Sequence, residues 1–265
     1  MNKYIIHGLL VASEIDFPEL EPYNHTSTFV PDVLIHHDNN LPLNTTPPTQ
    51  SHNNIKSTPN RLFIDVDNVG VFYIKNGCDI AYKPLNDANQ DSLRAHLLGV
   101  CMITIMYQKN VIVLHGSAFK YADFSVIFTG HSGMGKSTMI MAIMQMGYSV
   151  LSDEACAISA DNMVIPSQPI VQLWADCINA LSLKVSPYQP TNIKLGKQSV
   201  IVDNFYNSKP IPVKYIFNLK SHDSNQVTMK KLSLGKKLTT ILEHSLALDY
   251  LRESGLINNH FTGCC

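Results

Sequence analysis

The sequence predicts an α/β protein with a small, mostly antiparallel β region at its amino end. Three observations predict it. Short apolar runs separated by turn residues fill residues 1–90, strand-like and helix-like runs alternate from residue 111 onward, and one strand-to-helix joint is the glycine-rich stretch Gly130–Thr138. The expected division is a β-rich region over 1–90 and an α/β domain over 91–265.

In chain order, Tyr4-Ile5-Ile6 and Leu9-Leu10-Val11 read as extended structure closed by Pro18, and Val33-Leu34-Ile35 as a further short strand. Residues 38–60 are rich in Asn, Pro, Thr and Ser, with Pro42, Pro47, Pro48 and Pro59. That composition buries little apolar surface and predicts a long mobile loop. Strands are expected at Leu62–Val66 and Val69–Lys75 around a turn at Asn68, and Asn76-Gly77 signals a hairpin into Cys78–Tyr82. From about residue 91, Leu93, Leu97, Val100, Cys101, Ile103 and Thr104 recur near helical spacing. Val111–Leu114 and Ser125–Thr129 are β-rich apolar runs, and a helix is expected from Lys136 to Gln145, ending near Gly147. Further strands are expected at Tyr148–Leu151, Ala155–Ser159 and Val213–Leu219, with helices at Trp174–Leu183 and Lys236–Leu251.

The 265 residues are 45% hydrophobic and 15% charged, an ordinary globular composition able to bury a sizeable core. A formal net charge of -1 disfavours nucleic acid and anionic membrane as partners, since both call for basic patches. Arginine is confined to Arg61, Arg94 and Arg252, so a phosphate clamp must lean on lysine and backbone amides. The opening MNKYIIHGLLVASEIDFPEL lacks the features of a signal peptide, and no apolar stretch approaches the roughly 20 residues that span a bilayer. None of Cys78, Cys101, Cys156, Cys177, Cys264 and Cys265 sits in CxxC spacing, which is the pattern of free buried thiols in a reducing cytoplasm.

The chemistry concentrates at Gly130-His131-Ser132-Gly133-Met134-Gly135-Lys136-Ser137-Thr138. This fills every fixed position of GxxxxGK[ST], between an apolar strand and a helix-forming run. In such a P-loop the glycines let the backbone approach a phosphate, and the loop amides and helix N-terminus face it with aligned dipoles. Lys136 supplies a point charge for the β- and γ-phosphates of a nucleotide, and the Ser137 hydroxyl is a ligand for Mg²⁺. The strand after the loop helix ends in Asp153-Glu154, the position where P-loop enzymes hold their metal. One carboxylate can bind Mg²⁺ while the other accepts the proton of an attacking hydroxyl. Neighbouring residues on a strand point to opposite faces, so both acids serve one site only if the strand ends or bulges there. His115, after Val111–Leu114, lies at a strand's carboxyl end, where α/β ligands gather.

Leu114-His115-Gly116-Ser117-Ala118, the loop Gly130–Thr138, Gly147-Tyr148 and Ser152-Asp153-Glu154 together resemble the HPr kinase/phosphorylase-like family. Nearer still is the resemblance to the serine kinases that accompany lasso-peptide biosynthesis. It is carried by Tyr4, Gly8, Leu9, Ser13, Glu14, Ile15, Pro18, Glu19 and Leu20, by Leu97-Leu98-Gly99, and by Leu173-Trp174-Ala175-Asp176. The resemblance implies a P-loop kinase domain of the HPr kinase carboxyl-terminal and phosphoenolpyruvate carboxykinase-like type, with ATP and Mg²⁺ as cofactors. It implies Asp153 as the base and His115 beside the transferred phosphate; the candidate metal ligands are Ser137, from the loop motif, and Asp153 and Glu154, from the acidic pair. The expected partner is a peptide or protein with an acceptor serine, a lasso precursor peptide by the same resemblance. HPr itself, a small-molecule hydroxyl, and a non-kinase ATP-dependent switch are the alternatives, and homo-oligomer formation stays open. Three departures stand out: Glu154 replaces the family's second Asp, relatives often continue beyond the position of Cys265, and Val171-Gln172 stand where relatives tend to place an arginine. Lys184, Lys194 and Lys197 are the candidates to compensate for that arginine.

Overall fold

The computed structural model describes residues 1–24, 29–42, 54–167, 170–181, 197–202, 209–221, 223, 226–254 and 256. They form two compact units, one gathering the described residues of Met1–Val111 and Ala247–Asn258, the other those of Ile112–Ser186 and Lys197–Leu246. Each contains a mixed sheet with helices, so the protein is of the α/β class.

In the first unit, strands β1 (Asn2–Ile6), β2 (Leu9–Ser13), β3 (Val33–His37), β4 (Asn54–Thr58), β5 (Arg61–Val66), β6 (Gly70–Lys75) and β7 (Asp79–Pro84) make one sheet in the order β1-β2-β3-β7-β6-β5-β4. β3 runs parallel to both its neighbours, and the other pairings are antiparallel. The β6–β7 hairpin turns through Asn76 and Gly77, whose φ values of 56° and 66° are the consecutive positive angles of a primed turn. Helix α1 (Gln90–His96) starts at Asn89, whose side chain accepts from Ser92 N at 3.0 Å. A π-helical turn, Leu97–Cys101, joins it to α2 (Met102–Gln108), and the backbone leaves helical geometry at Gly99. Of the residues expected to form an apolar stripe, Leu93, Leu97, Cys101 and Thr104 are all but fully buried, whereas Val100 and Ile103 are half-buried and Ile105, outside the expected set, is fully buried.

The composition places Asn54–Thr58 in a loop, but in the structure they form β4, antiparallel to β5 with Ile55 opposite Ile64. An end strand of a sheet needs ladder partners on one side only, which tolerates a polar sequence. Residues 43–53 of the expected loop lie outside the described residues.

The second unit opens with β8 (Ile112–Tyr121) and β9 (Phe124–Thr129), followed by α3 (Lys136–Gln145), β10 (Val150–Ser152), β11 (Ala155–Ile158) and β12 (Met163–Ile165). It continues with β13 (Ile170–Trp174), α4 (Ala175–Leu181), β14 (Lys197–Ile201), β15 (Ile211–Asn218) and α5 (Leu234–Glu243). The main sheet runs β10-β8-β11-β12-β15-β9, and β8 also pairs with β9, so the pairings close into a ring. The long strand β8 makes this closure: residues 112–115 pair with β11 and residues 116–121 with β9, so His115, expected at a strand's carboxyl end, lies inside β8 where the strand changes partner. β9 is buried on both faces, which explains its consecutive apolar residues Val126, Ile127 and Phe128. Val126 and Phe128 pack with Ile140 and Met144 of α3, whereas Ile127 packs with Leu114, Ala118 and Leu151.

Three expectations are corrected here. Trp174 is the last, exposed residue of β13 rather than the first of a helix; α4 begins at Ala175, and positions 182–183 lie outside the described residues. The run Ile170–Trp174 pairs with β14 over five residues, so a ladder overrides helical propensity there. The single helix expected over Lys236–Leu251 is two, α5 and, in the first unit, α6 (Leu248–Glu253). The break falls where Ser245 bridges to Leu114 and Leu246 N donates to Val113 O at 2.9 Å, with Ala247 at φ 49°. Cys101 and Cys156 are free and buried, but Cys78 is exposed beside the β6–β7 turn; the Cys177 side chain, Cys264 and Cys265 fall outside the description. Among the described residues no helix is long and apolar enough to cross a membrane.

Candidate functional site

The site is built where β8, β9 and β15 come together. Gly116 of β8 and Asn218 of β15 both lie opposite Thr129, the last residue of β9. β15 and β9 are parallel, so the loop after Thr129 leaves the carboxyl end of a parallel pair. It turns at once: Gly130 has φ 146°, and a Cβ there would lie 2.8 Å from Leu219 O. Gly133 and Gly135 follow with φ of 83° and 90°, and a Cβ on either would meet no atom within 4 Å. The backbone there borders open space, as a surface that admits a phosphate closely must.

Helix α3 starts at Lys136, the first residue after the left-handed Gly135. Lys136 is 8% exposed, and its Nζ donates to Gly130 O at 2.6 Å and to His131 O at 3.3 Å, so the ammonium lies across the mouth of its own loop. His131, Ser132 and Gly133 are exposed along the rim, and Met134 and Gly135 are half-buried. Ser137 is half-buried and Thr138 exposed on the first turn of α3.

The strand carrying the acids does break, as two adjacent carboxylates in one site require. β10 ends at Ser152 and β11 begins at Ala155, with Glu154 between them at φ 63° and Ala155 N donating to Asp153 O at 2.8 Å. Asp153 is held at both oxygens: the Ser117 hydroxyl donates to Oδ1 at 2.5 Å and Gln172 N donates to Oδ2 at 2.9 Å. Gln172 in turn donates from Nε2 to Ser199 Oγ at 2.7 Å. His115 Nδ1 lies 3.2 Å from Glu154 O and 3.6 Å from Glu154 Oε2. Burial lowers the His115 imidazole below its ordinary value and the Lys136 ammonium lowers it further, while Glu154 and Asp153 oppose them. Lys136, Asp153, Glu154 and His115 therefore share one electrostatic neighbourhood.

His244, just past α5, belongs to the same group and was not legible as a site residue in the sequence. Its carbonyl accepts from His115 N at 2.7 Å, its Nε2 lies 3.1 Å from Asn218 Oδ1, and its ring meets that of His131 at 5.3 Å. Burial lowers its pKa as well. His131 Nε2 lies 2.8 Å from Glu243 Oε1 at the end of α5. Two of the missed residues had a signal: Ser117 is two positions from His115 and so shares its face of the strand, and Asn218 ends a strand expected to be in the core sheet. Gln172 stood at the position where relatives tend to place an arginine, but Glu243 and His244 had no signal, because their roles arise from pairings distant in sequence. Lys197 is the first residue of β14, its side chain outside the description, and Lys184 and Lys194 lie outside the described residues.

The donors suit a hard cation. Ser137, Asp153 and Glu154 carry oxygen donors, and Mg²⁺ is commonly held by one or two carboxylates with phosphate and water completing its shell. Among the described residues no group of three or more His, Cys, Asp or Glu forms a self-sufficient metal cage. No protein-family model matches the sequence, and no curated protein is significantly similar to it.

Proposed function

We propose that the chain is a Mg²⁺-ATP-dependent serine kinase of the HPr kinase-like type, acting on a hydroxyl of a peptide or protein. The observation that carries this reading is the loop Gly130–Gly135 between β9 and α3, with Lys136 laid across its mouth and the Asp153-Glu154 break beside it. In this reading the loop amides and Lys136 receive the β- and γ-phosphates of ATP, and Lys136 exchanges the carbonyls of Gly130 and His131 for phosphate oxygens. Ser137 and Glu154 hold the Mg²⁺, which supplies charge neutralisation on the transferring group. Ser117 and Gln172 N orient the Asp153 carboxylate, which takes the proton of the acceptor serine. As that proton moves, the serine oxygen bonds to the γ-phosphorus, the bridging bond to the β-phosphate breaks, and ADP leaves with the electron pair. Lowered by burial and by Lys136, His115 is neutral near pH 7 and lies beside the transferred group without repelling Lys136. Catalysis of this kind is positioning and electrostatics, with little covalent work for the protein. A lasso precursor is the acceptor that the sequence resemblance favours.

Incubation with ATP labelled at the γ-phosphate tests the proposal. Label in phosphoserine on a supplied peptide is the expected result. Label on a metabolite would move the reading to a small-molecule kinase, and free phosphate alone to an ATP-dependent switch.

A further inference from the structure

Helix α5 leads into the site, yet none of its residues is buried. From Gln226 to Leu242 the sequence contains no acidic residue, but it carries Lys230, Lys231, Lys236 and Lys237, all four exposed. Met229 and Leu234 stand among them, 79% and 66% exposed. In a chain whose formal net charge is -1, this is a local concentration of positive charge with apolar contacts interleaved. A lysine run of this kind is by default a solvated face. What sets this one apart is its anchorage. Glu243 ends the helix on His131 of the phosphate loop, His244 O holds His115 N, and Leu246 N holds Val113 O.

We infer that residues 229–237 are the docking surface for the acceptor, and that the acceptor is an acidic peptide with an apolar residue among its carboxylates. This rests on the kinase reading of the site. Charge complementarity selects the acid, Met229 and Leu234 select the apolar residue, and the tethers explain why binding there delivers a hydroxyl to Asp153. An anionic membrane would match the charge but carries no serine side chain with a free hydroxyl to accept the phosphoryl group. The geometry also sets a spacing. From Lys236 to His244 is eight residues, about 12 Å of helix at 1.5 Å per residue. An extended peptide covers that span in about four residues at 3.3 Å each. The acids are therefore placed at least about four residues from the acceptor serine, the length that reaches His244.

The test uses the full chain and three fluorescent serine peptides: acids four residues from the serine, the same acids adjacent to the serine, and a neutral version. Anisotropy, which needs no phosphoryl transfer, is expected to show the first peptide binding at least 10-fold more tightly than the neutral one. Its affinity should fall at least 10-fold in K236E/K237E and again on raising the salt, while Mg²⁺-ATP affinity stays within twofold. In the transfer assay the spaced peptide is expected to have the lowest KM. Equal binding of acidic and neutral peptides, or an unchanged affinity in K236E/K237E, overturns the docking surface. So does binding to phosphatidylserine vesicles with none to the acidic peptide. Tight, charge-dependent peptide binding with no label transferred would keep the docking surface and overturn the kinase reading, so the two fail separately.

Discussion

At the scale of single residues the site is a set of hydrogen bonds with assigned donors. Lys136 is bonded to carbonyls of its own loop, and in the proposed reading removing its ammonium takes away a phosphate ligand. Lys136→Met is expected to retain the fold, by circular dichroism, and to lose at least about 100-fold in phosphoryl transfer, the scale of deleting one preorganised charge-stabilising donor. Ser117 is completely buried and donates to Asp153, so Ser117→Ala leaves one carboxylate oxygen without that donor. A fall of about 10- to 100-fold in kcat with little change in the KM for ATP is expected, as for other residues that orient a metal-binding or catalytic carboxylate. An equal fall in kcat and rise in the KM for ATP would mean that Ser117 supports the nucleotide seat and not Asp153. Ser117→Thr, which keeps the hydroxyl, is the rescue to compare.

At the scale of elements, the closest approach near the site is Gly116 in β8. A Cβ there would lie 2.6 Å from Phe128 O of the paired strand β9. The contact is with backbone, which cannot swing away, so Gly116→Ala is expected to cost about 1–3 kcal/mol in urea unfolding, the usual range for overpacking. Elements whose cause is local were legible in the sequence. α3 runs from Lys136 to Gln145 as expected, because its start is set by Gly135 and its end by Gly147 at φ 83°. The Asn76-Gly77 hairpin was legible for the same reason. Elements set by distant partners were not. β4 exists because β5 offers it a ladder, β13 because β14 does, and the gap between α5 and α6 because Ser245 and Leu246 pair with β8. The same distinction holds at the site: the loop, the acids and His115 are read from consecutive text, whereas His244 and Glu243 reach it only through the fold.

At the scale of the whole molecule, acid should destabilise the fold through its histidines. His7, in the turn between β1 and β2, has φ 49° and an Nδ1 sealed from solvent without a hydrogen-bond partner, and burial pushes its pKa down to about 4. The unfolded chain binds a proton at about 6.5, so between those values the unfolded state holds more protons than the folded one. The stability contributed by neutral His7 is therefore present above pH 6.5 and lost as the pH falls toward 4, with an upper bound of about 3.5 kcal/mol at 1.4 kcal/mol per unit. His115 and His244 are lowered too and act with the same sign. Thermal midpoints should fall between pH 7 and pH 4.5, and His7→Asn should flatten that fall, since asparagine suits a left-handed turn and does not titrate. An unchanged slope in His7→Asn would remove His7 from the acid response.

The measurement that bears most directly on the nucleotide seat is calorimetric titration of the full chain with ATP, with and without Mg²⁺, repeated on Lys136→Met. One site per chain is expected, tighter with Mg²⁺ and weakened at least tenfold in Lys136→Met. Failure of the wild-type chain to bind Mg²⁺-ATP, or binding that does not respond to the loss of Lys136, would contradict the assignment of Gly130–Thr138 as a phosphate-binding loop.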